Sequence, residues 1–517
     1  APLPEIEVEE TRIFPPSGLQ VIEEQIYPSF TPDNRAELVR EVKAFLSSLK
    51  RARNALEQTT FAEAHLIDAA KQEVYRVLVL GISGFDTPLS QTGVAEAAVT
   101  LQSLQQTLTY LGENKELRAL FTAAIQYTQQ HSDFDTFDRL TFITRFANPL
   151  TTRLTQWQKS VAVNSLPGTL ALNPAAPTLF SPQAINPNYF TGNPEARLTP
   201  KKIALGKALF FSPIISGGAR TCATCHQPGL AFTDGLPRSA ALTAGKTVLR
   251  NAPTLLYAGL QTAQFYDMRA PTLENQAMDV MANQEEMHAS VEAAAARLSK
   301  LPAYQAQFKA AFPNMEAEVK PRYVMIALAS YIRSLTPFNS RFDQHLRGNS
   351  VPLTALEKTG FNLFMGKAKC GTCHFMPVFN GTAPPTFASS EAEVLGVPTR
   401  PATAGAIIDP DQGRYVHTQI PELKFAFKTP TLRNIALTAP YMHNGVFNTL
   451  EEVIDFYDNG GGAGLNLDLP HQTLPTEKLN LTSPEKRVLK AFLMALTDSS
   501  FIPQPALPGP KLTRSSR

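Results

Sequence analysis

Cysteine is scarce in this chain. The 517 residues contain four, and all four fall in two pentapeptides, "CATCH" at 222–226 and "CGTCH" at 370–374. None is left over for another role. Excess charge is also missing: the net charge of +2 gives no reason to expect nucleic acid or an anionic membrane as partner. No run approaches the ~20 apolar residues that a membrane span needs, and "VYRVLVLGI" at 74–82 is far too short. The opening "APLPEIEVEE" lacks a basic n-region and an apolar h-region. An Ala-Pro start without Met leads to the expectation of a processed, exported chain. Tryptophan occurs once, at Trp157, and histidine is absent between His226 and His288.

What is present is ordinary in bulk. At 56.5 kDa the chain has room for two to four domains, and 43% hydrophobic with 18% charged residues is a globular balance. The stretch from Thr31 carries Leu38, Val42, Phe45, Leu46 and Leu49 on one helical face, with Pro32 as a first helical residue. Similar periodicity runs through 60–82, 88–112, 115–130 and 135–163. Residues 1–165 therefore read as an antiparallel helical bundle. Residues 166–198 are Pro-rich and aperiodic, a linker or an irregular strap. Helices restart at Thr199-Pro200, at Thr354 with Glu357 as a capping box, and at Ser483-Pro484. Each pentapeptide follows one such helix by a short loop. Residues 199–345 and 346–500 thus read as two analogous units, with 501–517 as a tail. No sequence repeat is visible beyond the pentapeptides.

Cys-x-x-Cys-His admits several readings. A disulfide between cysteines three apart closes a tiny loop and adds little stability. A thioredoxin-like redox pair expects a βαβ context that is lacking here. A zinc site needs four ligands, and the two pairs lie 148 residues apart, each with its own His. Covalent haem c explains every letter: two thiols form thioethers to the haem vinyl groups, and the adjacent His reaches the iron. Cys222, Cys225 and His226 would hold one haem, and Cys370, Cys373 and His374 a second. What sits across from each His decides whether a haem transfers electrons or reacts.

The residues after each pentapeptide carry a resemblance. They are "FTDGLP" (232–237), "RNAPTL" (250–255), "FYDMRAPTLENQA" (265–277) and "EEM" (285–287), then "FKTPTLRNIALTAPYMHNG" (427–445) and "TLEEVIDFYDNGG" (449–461). This ordered set resembles the bacterial dihaem cytochrome c peroxidases and their MauG-like relatives. It covers about 199–500 and leaves 1–198 unmatched. The resemblance implies a mainly α fold: two cytochrome c-like haem domains, here preceded by the helical bundle. It also implies two covalent haems c, one Ca2+ between the domains, and hydrogen peroxide as oxidant. Gln276 and Glu286 match the family's distal pair, with Glu286 suited to moving a peroxide proton. Outside that context they read as solvated residues of an exposed helix. Asn251, Thr438 and Pro440 match the calcium ligands, the last two through backbone carbonyls. Asn251 otherwise reads as a loop cap.

Three departures sharpen the resemblance. The peroxidase branch carries a blocking His after the first haem motif, and none stands here before His288, which would have to swing in. The same branch ligates its second haem through Met. The alignment places Tyr457 there, as in the MauG-like branch, and a phenolate favours ferric iron. Met442 is the rival ligand, and Tyr457 read without the family is a core aromatic beside Phe456. Where the family places a Trp between the haems, this chain has Tyr266, either a relay or a packing residue.

Several functions stay open at this point. A periplasmic dihaem peroxidase would take electrons through the second haem from a small donor protein, a c-type cytochrome or cupredoxin. A MauG-like oxidase would act on a protein side chain. A pure electron-transfer dihaem cytochrome would need a strong sixth ligand on both haems, against which the Gln276/Glu286 pair argues. In a further reading the bundle recognises a partner while the haems sense. The resemblance also admits a dimer.

Overall fold

The computed structural model describes residues 5–7, 12–160, 169–218, 220–401 and 405–501. The chain is mainly α, as its periodicity implies. Among the described residues the strands form two short antiparallel pairs, Glu5–Glu7 with Arg12–Phe14 and Ala392–Val394 with Ala426–Lys428.

Each pentapeptide follows one member of a crossed helix pair. The helix Pro200–Phe210 packs on Pro321–Arg333, and Ala355–Met365 packs on Ser483–Ala495. Both crossings turn on a glycine. A Cβ at Gly206 would overlap the Ala327 carbonyl oxygen, and one at Gly360 would overlap that of Val488. Four residues on, an aromatic pair closes each crossing: Phe210 with Tyr331 at 5.2 Å and Phe364 with Phe492 at 5.1 Å. The two units therefore repeat at single spaced positions, which a search for contiguous similarity passes over. Gly360→Ala is expected to cost ~1–3 kcal/mol through overpacking, read as a lower midpoint in chemical denaturation. An unchanged midpoint would show that the helices can part.

The helix starts follow cap chemistry. Thr199 accepts the Lys202 N–H, 3.2 Å, and Thr354 with Glu357 forms the expected capping box. The last helix differs by one residue. Its cap is Thr482, boxed with Glu485, and Ser483 is already helical, because Glu485 stands three residues after Thr482.

The amino-terminal region departs from a uniform bundle. After a short turn at Pro32–Asn34, the helix Arg35–Glu57 packs chiefly on the eight-residue helix Leu19–Ile26, which is too short to cover it. Of its residues only Glu41 is buried. The helices Glu63–Arg76, Gly93–Leu108, Lys115–Gln130 and Asn148–Ser160 instead join one hydrophobic core that runs from Ile67 to Leu496. Polar contacts reinforce this union. Asp138 accepts from Asn362 Nδ2, 2.9 Å, and Leu140 N–H donates to Asn362 Oδ1, 3.1 Å. Asn362 lies on the helix leading to the second pentapeptide.

Residues 169–198 are an irregular strap with buried apolar residues. Leu172, Leu179, Phe180 and Ile185 enter the core, and Lys71 donates to the Pro174 and Ala176 carbonyls, both at 2.7 Å. No helix among the described residues is long and apolar enough to cross a membrane.

Candidate functional site

Both cysteine pairs lie in single 3-10 turns, Cys222–Thr224 and Cys370–Thr372, and all four thiols are free. Burial pushes the Cys222 and Cys370 thiols up to about 12 and raises Cys225 and Cys373 as well. These are neutral thiols, unlike the activated thiolate of a redox motif. No group of three or more His, Cys, Asp or Glu gathers among the described residues, so the two motifs do not share a zinc site.

The histidines are prepared as ligands. His226 Nδ1 lies 3.0 Å from the Phe232 carbonyl oxygen; His374 Nδ1 lies 3.2 Å from that of Phe379 and 3.1 Å from that of Pro430. A carbonyl can only accept, so each Nδ1 carries the proton and Nε2 keeps its lone pair. Burial lowers both imidazoles, His374 to about 4, which keeps them neutral at pH 7. Two half-buried, neutral thiols and a neutral imidazole with Nε2 available form the donor set that haem c requires, and the residues fit the group twice.

A carboxyl lies within electrostatic reach of the first pair. Glu286 follows the helix Leu273–Ala282, which carries Gln276, and it lies within electrostatic reach of Cys225. Asn283 fixes the turn: its Nδ2 donates to Glu286 Oε1 at 2.7 Å, and its carbonyl accepts the Glu286 N–H at 3.1 Å. Burial raises the Glu286 carboxyl, with Arg269, Asn283 and Arg220 opposing. Gln276 is half-buried, and His288 is exposed, its backbone at positive φ.

Tyr457 stands on Leu450–Asp458, a helix started by a Thr449/Glu452 capping box. Burial raises its phenol first, and the Cys373 and Cys370 thiols and Glu393 raise it further, so the second pair lies within electrostatic reach of the phenol. Met442 is half-buried in a turn at positive φ and packs against the core.

Loops from the two halves meet at Arg250 and Asn251. Asn251 is buried; its N–H donates to the His443 carbonyl, 2.8 Å, and its Nδ2 to that of Leu236, 2.7 Å. The amide oxygen is therefore the part of Asn251 left to accept. Thr438 is half-buried and Pro440 buried, a few residues before His443. Arg250 joins Asp267 and Asp411, both at 2.6 Å. Tyr266 accepts the Lys428 N–H at its carbonyl, 2.7 Å, and burial raises its phenol.

Sequence reasoning passed over Lys428. Its ammonium donates to Gln261 Oε1 and to the Ala263 carbonyl, and burial lowers it to about 7. It braces the loop that carries Tyr266. A lysine between Phe427 and Thr429 on an apolar strand was the available signal. Asn283 was missed too, because an amide three residues before Glu286 shows no pattern of its own.

The chain is similar to known proteins. The family model described as di-haem cytochrome c peroxidase matches residues 200–351. Methylamine utilization protein MauG of Methylorubrum extorquens is 35% identical over 314 residues, covering 60% of this chain and 82% of that protein. Cytochrome c551 peroxidase of Pseudomonas aeruginosa is 30% identical over 344 residues, 65% of this chain and 93% of the peroxidase. A crystal structure of a MauG-like protein associated with microbial copper homeostasis is similar at 33% identity and a TM-score of 0.52. It covers 60% of this chain and 93% of its own.

Proposed function

The chain belongs to the dihaem cytochrome c peroxidase family, MauG proteins included, and on that premise we propose how its residues divide the work. It is a peroxidase-type oxidoreductase carrying two haems c. Residues 199–345 and 346–500 are assigned as the haem units, 1–165 as an added helical region, 166–198 as the strap and 501–517 as a tail. Export to the periplasm accords with haem c chemistry. When bound, the haems supply the redox chemistry: two electrons and two protons convert one hydrogen peroxide to two waters.

Cys222, Cys225 and His226 hold the first haem, and Cys370, Cys373 and His374 the second. The observation that carries the reading is a difference in what lies within electrostatic reach of the two thiol pairs. Glu286 lies near the first thiol pair and Tyr457 near the second. A carboxyl raised by burial is suited to take a proton from one peroxide oxygen and return it to the other. Asn283 holds that carboxyl, and Gln276 orients peroxide through its amide. Tyr457 offers its phenol oxygen as the second ligand to the haem of His374. Tyr266, braced by Lys428, is assigned as the relay for electrons between the units. Asn251, through its amide oxygen, and the carbonyls of Thr438 and Pro440 are the assigned ligands of one Ca2+, a hard-oxygen set. Electrons come from a small donor protein, a c-type cytochrome or cupredoxin.

Tyr457 also favours a second reading, an oxidase acting on a protein side chain, because a phenolate ligand suits an oxidised centre better than an easily reduced relay. Ferric and ferrous absorption and EPR spectra test the assignment. One high-spin haem and one low-spin haem that resists reduction are expected, and Tyr457→Phe should alter only the second. Two low-spin haems in every state would leave an electron-transfer cytochrome. Calcium chelation should perturb both spectra, and intact spectra would remove the Asn251 site.

A further inference from the structure

Three arginines are among the largest fully buried side chains: Arg139, Arg333 and Arg433. Two of them hold a carboxylate, Arg333 that of Glu274 and Arg433 that of Asp343. Arg139 holds none among the described residues. It donates instead to three backbone carbonyls, from Nε to Ile82 at 2.8 Å, from Nη1 to Phe137 at 3.2 Å and from Nη2 to Phe134 at 2.7 Å. Its guanidinium lies 4.5 Å over the Phe134 ring. The carboxylates that act on it, Asp135 and Asp133, are exposed. Burial lowers the guanidinium to about 10, which still leaves it a cation at pH 7. A buried charge without a counter-charge is costly, and what surrounds Arg139 gives it a use.

The guanidinium rests on the turn that leads into the second cysteine pair. A Cβ on Gly366 would stand 2.9 Å from Arg139 Nη1 and 3.3 Å from its Cζ. The Lys369 N–H donates back to the Gly366 carbonyl, 2.7 Å, and Cys370 comes next. A turn closed in this way is under ~7 Å across, which leaves the guanidinium within ~15 Å of Cys370. The loop that Arg139 holds at Ile82 also reaches the far side of the pair. Its Phe85 meets Phe375 edge-on at 5.2 Å, and Phe375 follows His374. Arg139 lies outside residues 200–351, so the family model supplies no role for it.

We propose that the Arg139 cation raises the reduction potential of the haem held by Cys370, Cys373 and His374. The inference rests on that attachment. Reduction removes one positive charge from the iron, so a fixed cation nearby favours the ferrous form. Tyr457, as a phenolate, pulls the other way, and the two together set how readily this haem accepts an electron. One charge at ~15–20 Å, with an effective dielectric constant of ~20, changes the ferrous-to-ferric ratio ~3–7-fold. That is ~30–50 mV, at 59 mV per tenfold for one electron.

Spectroelectrochemical titration of the haem-loaded chain reads both midpoints, the second being the one that Tyr457→Phe also moves. Arg139→Gln should lower the second midpoint by ~30–50 mV and leave the first in place. A merely structural role for Arg139 would not move one midpoint alone. Arg139→Lys keeps the charge and separates it from the fold, even where Arg139→Gln does not fold. Burial lowers Lys71, which also donates to carbonyls, to about 8. A lysine at position 139 should lose its proton in the same way. The Arg139→Lys midpoint should match wild type at about pH 6 and fall below it by about pH 9, as burial strips the proton. A folded Arg139→Gln with an unchanged second midpoint would overturn the inference. So would equal movement of both midpoints, or an Arg139→Lys that tracks wild type at both pH values. Haem counting as the pyridine haemochrome checks the premise separately: one haem in the wild type would overturn the attachment, and the inference with it.

Discussion

Replacing Glu286 with glutamine is expected to slow peroxide turnover about 10²–10⁴-fold, the usual contribution of a positioned acid–base group, while both haem spectra keep their wild-type form. Glutamine preserves the size of the side chain but cannot take or release the proton. The Asn283 amide that now donates to Glu286 Oε1 still finds an acceptor in the glutamine carbonyl, so the turn survives. The pH profile gives a second readout. Proton uptake needs the carboxylate, and burial raises the pKa of this group. Wild-type activity should therefore fall as pH drops through a point above the ordinary glutamate value of ~4.3. The variant should lack that limb. A variant with full turnover, or with the same acid limb, would remove Glu286 from the reaction.

Asp343→Ala is expected to have the largest effect on stability, a loss of ~3–5 kcal/mol. Arg433 is 0% and Asp343 1% exposed, and the pair is bidentate at 2.8 and 2.7 Å. The guanidinium also lies over Phe338 at 4.6 Å and Tyr257 at 5.3 Å, and donates to the Pro377 carbonyl. Removing the carboxylate leaves a cation with no route to water. Burial alone would raise the Asp343 carboxyl, but Arg433 and the Ser340 donors outweigh it and hold it below the usual range. An aspartate lowered in the fold contributes stability above its unfolded pKa, and that stability is lost as pH falls through the folded value. Chemical denaturation from pH 7 into acid should show a steeper loss of stability in the wild type than in Asp343→Ala, which keeps only the slope of the other lowered aspartates, Asp267 and Asp411 among them. Replacing both residues with apolar ones of similar volume should restore much of the loss. A near-neutral Asp343→Ala would show that water reaches Arg433.

The legible part of the chain was the part whose chemistry is local. Cys-x-x-Cys-His names its group within five letters, and Thr354 with Glu357 names a helix start within four. The 3.6-residue pattern located the helices, and the order of motifs after each pentapeptide led to the family. What stayed hidden depends on partners far apart in sequence. Asp343 and Arg433 are 90 residues apart, and Lys428 matters only because residues 261–266 fold against it. Gly206 and Gly360 reveal the internal repeat only once their helices are seen crossing. Periodicity also misled in one place. The stripe on Arg35–Glu57 implies a buried face, yet it cannot say which surface does the burying, and the adjacent helix proved too short.

The contacts of Asn362 with residues 138–140 impose an order on assembly. Asp138 precedes its partner by 224 residues, so at ~5–20 residues per second it is synthesised roughly 10–45 s earlier. Free energy hardly notices this separation: halving it would save only ~0.6 kcal/mol of loop entropy. Time does notice. The amino-terminal helices can form their local contacts while Asp138 and the Leu140 N–H still face water, and the helix before the second pentapeptide arrives later to receive both.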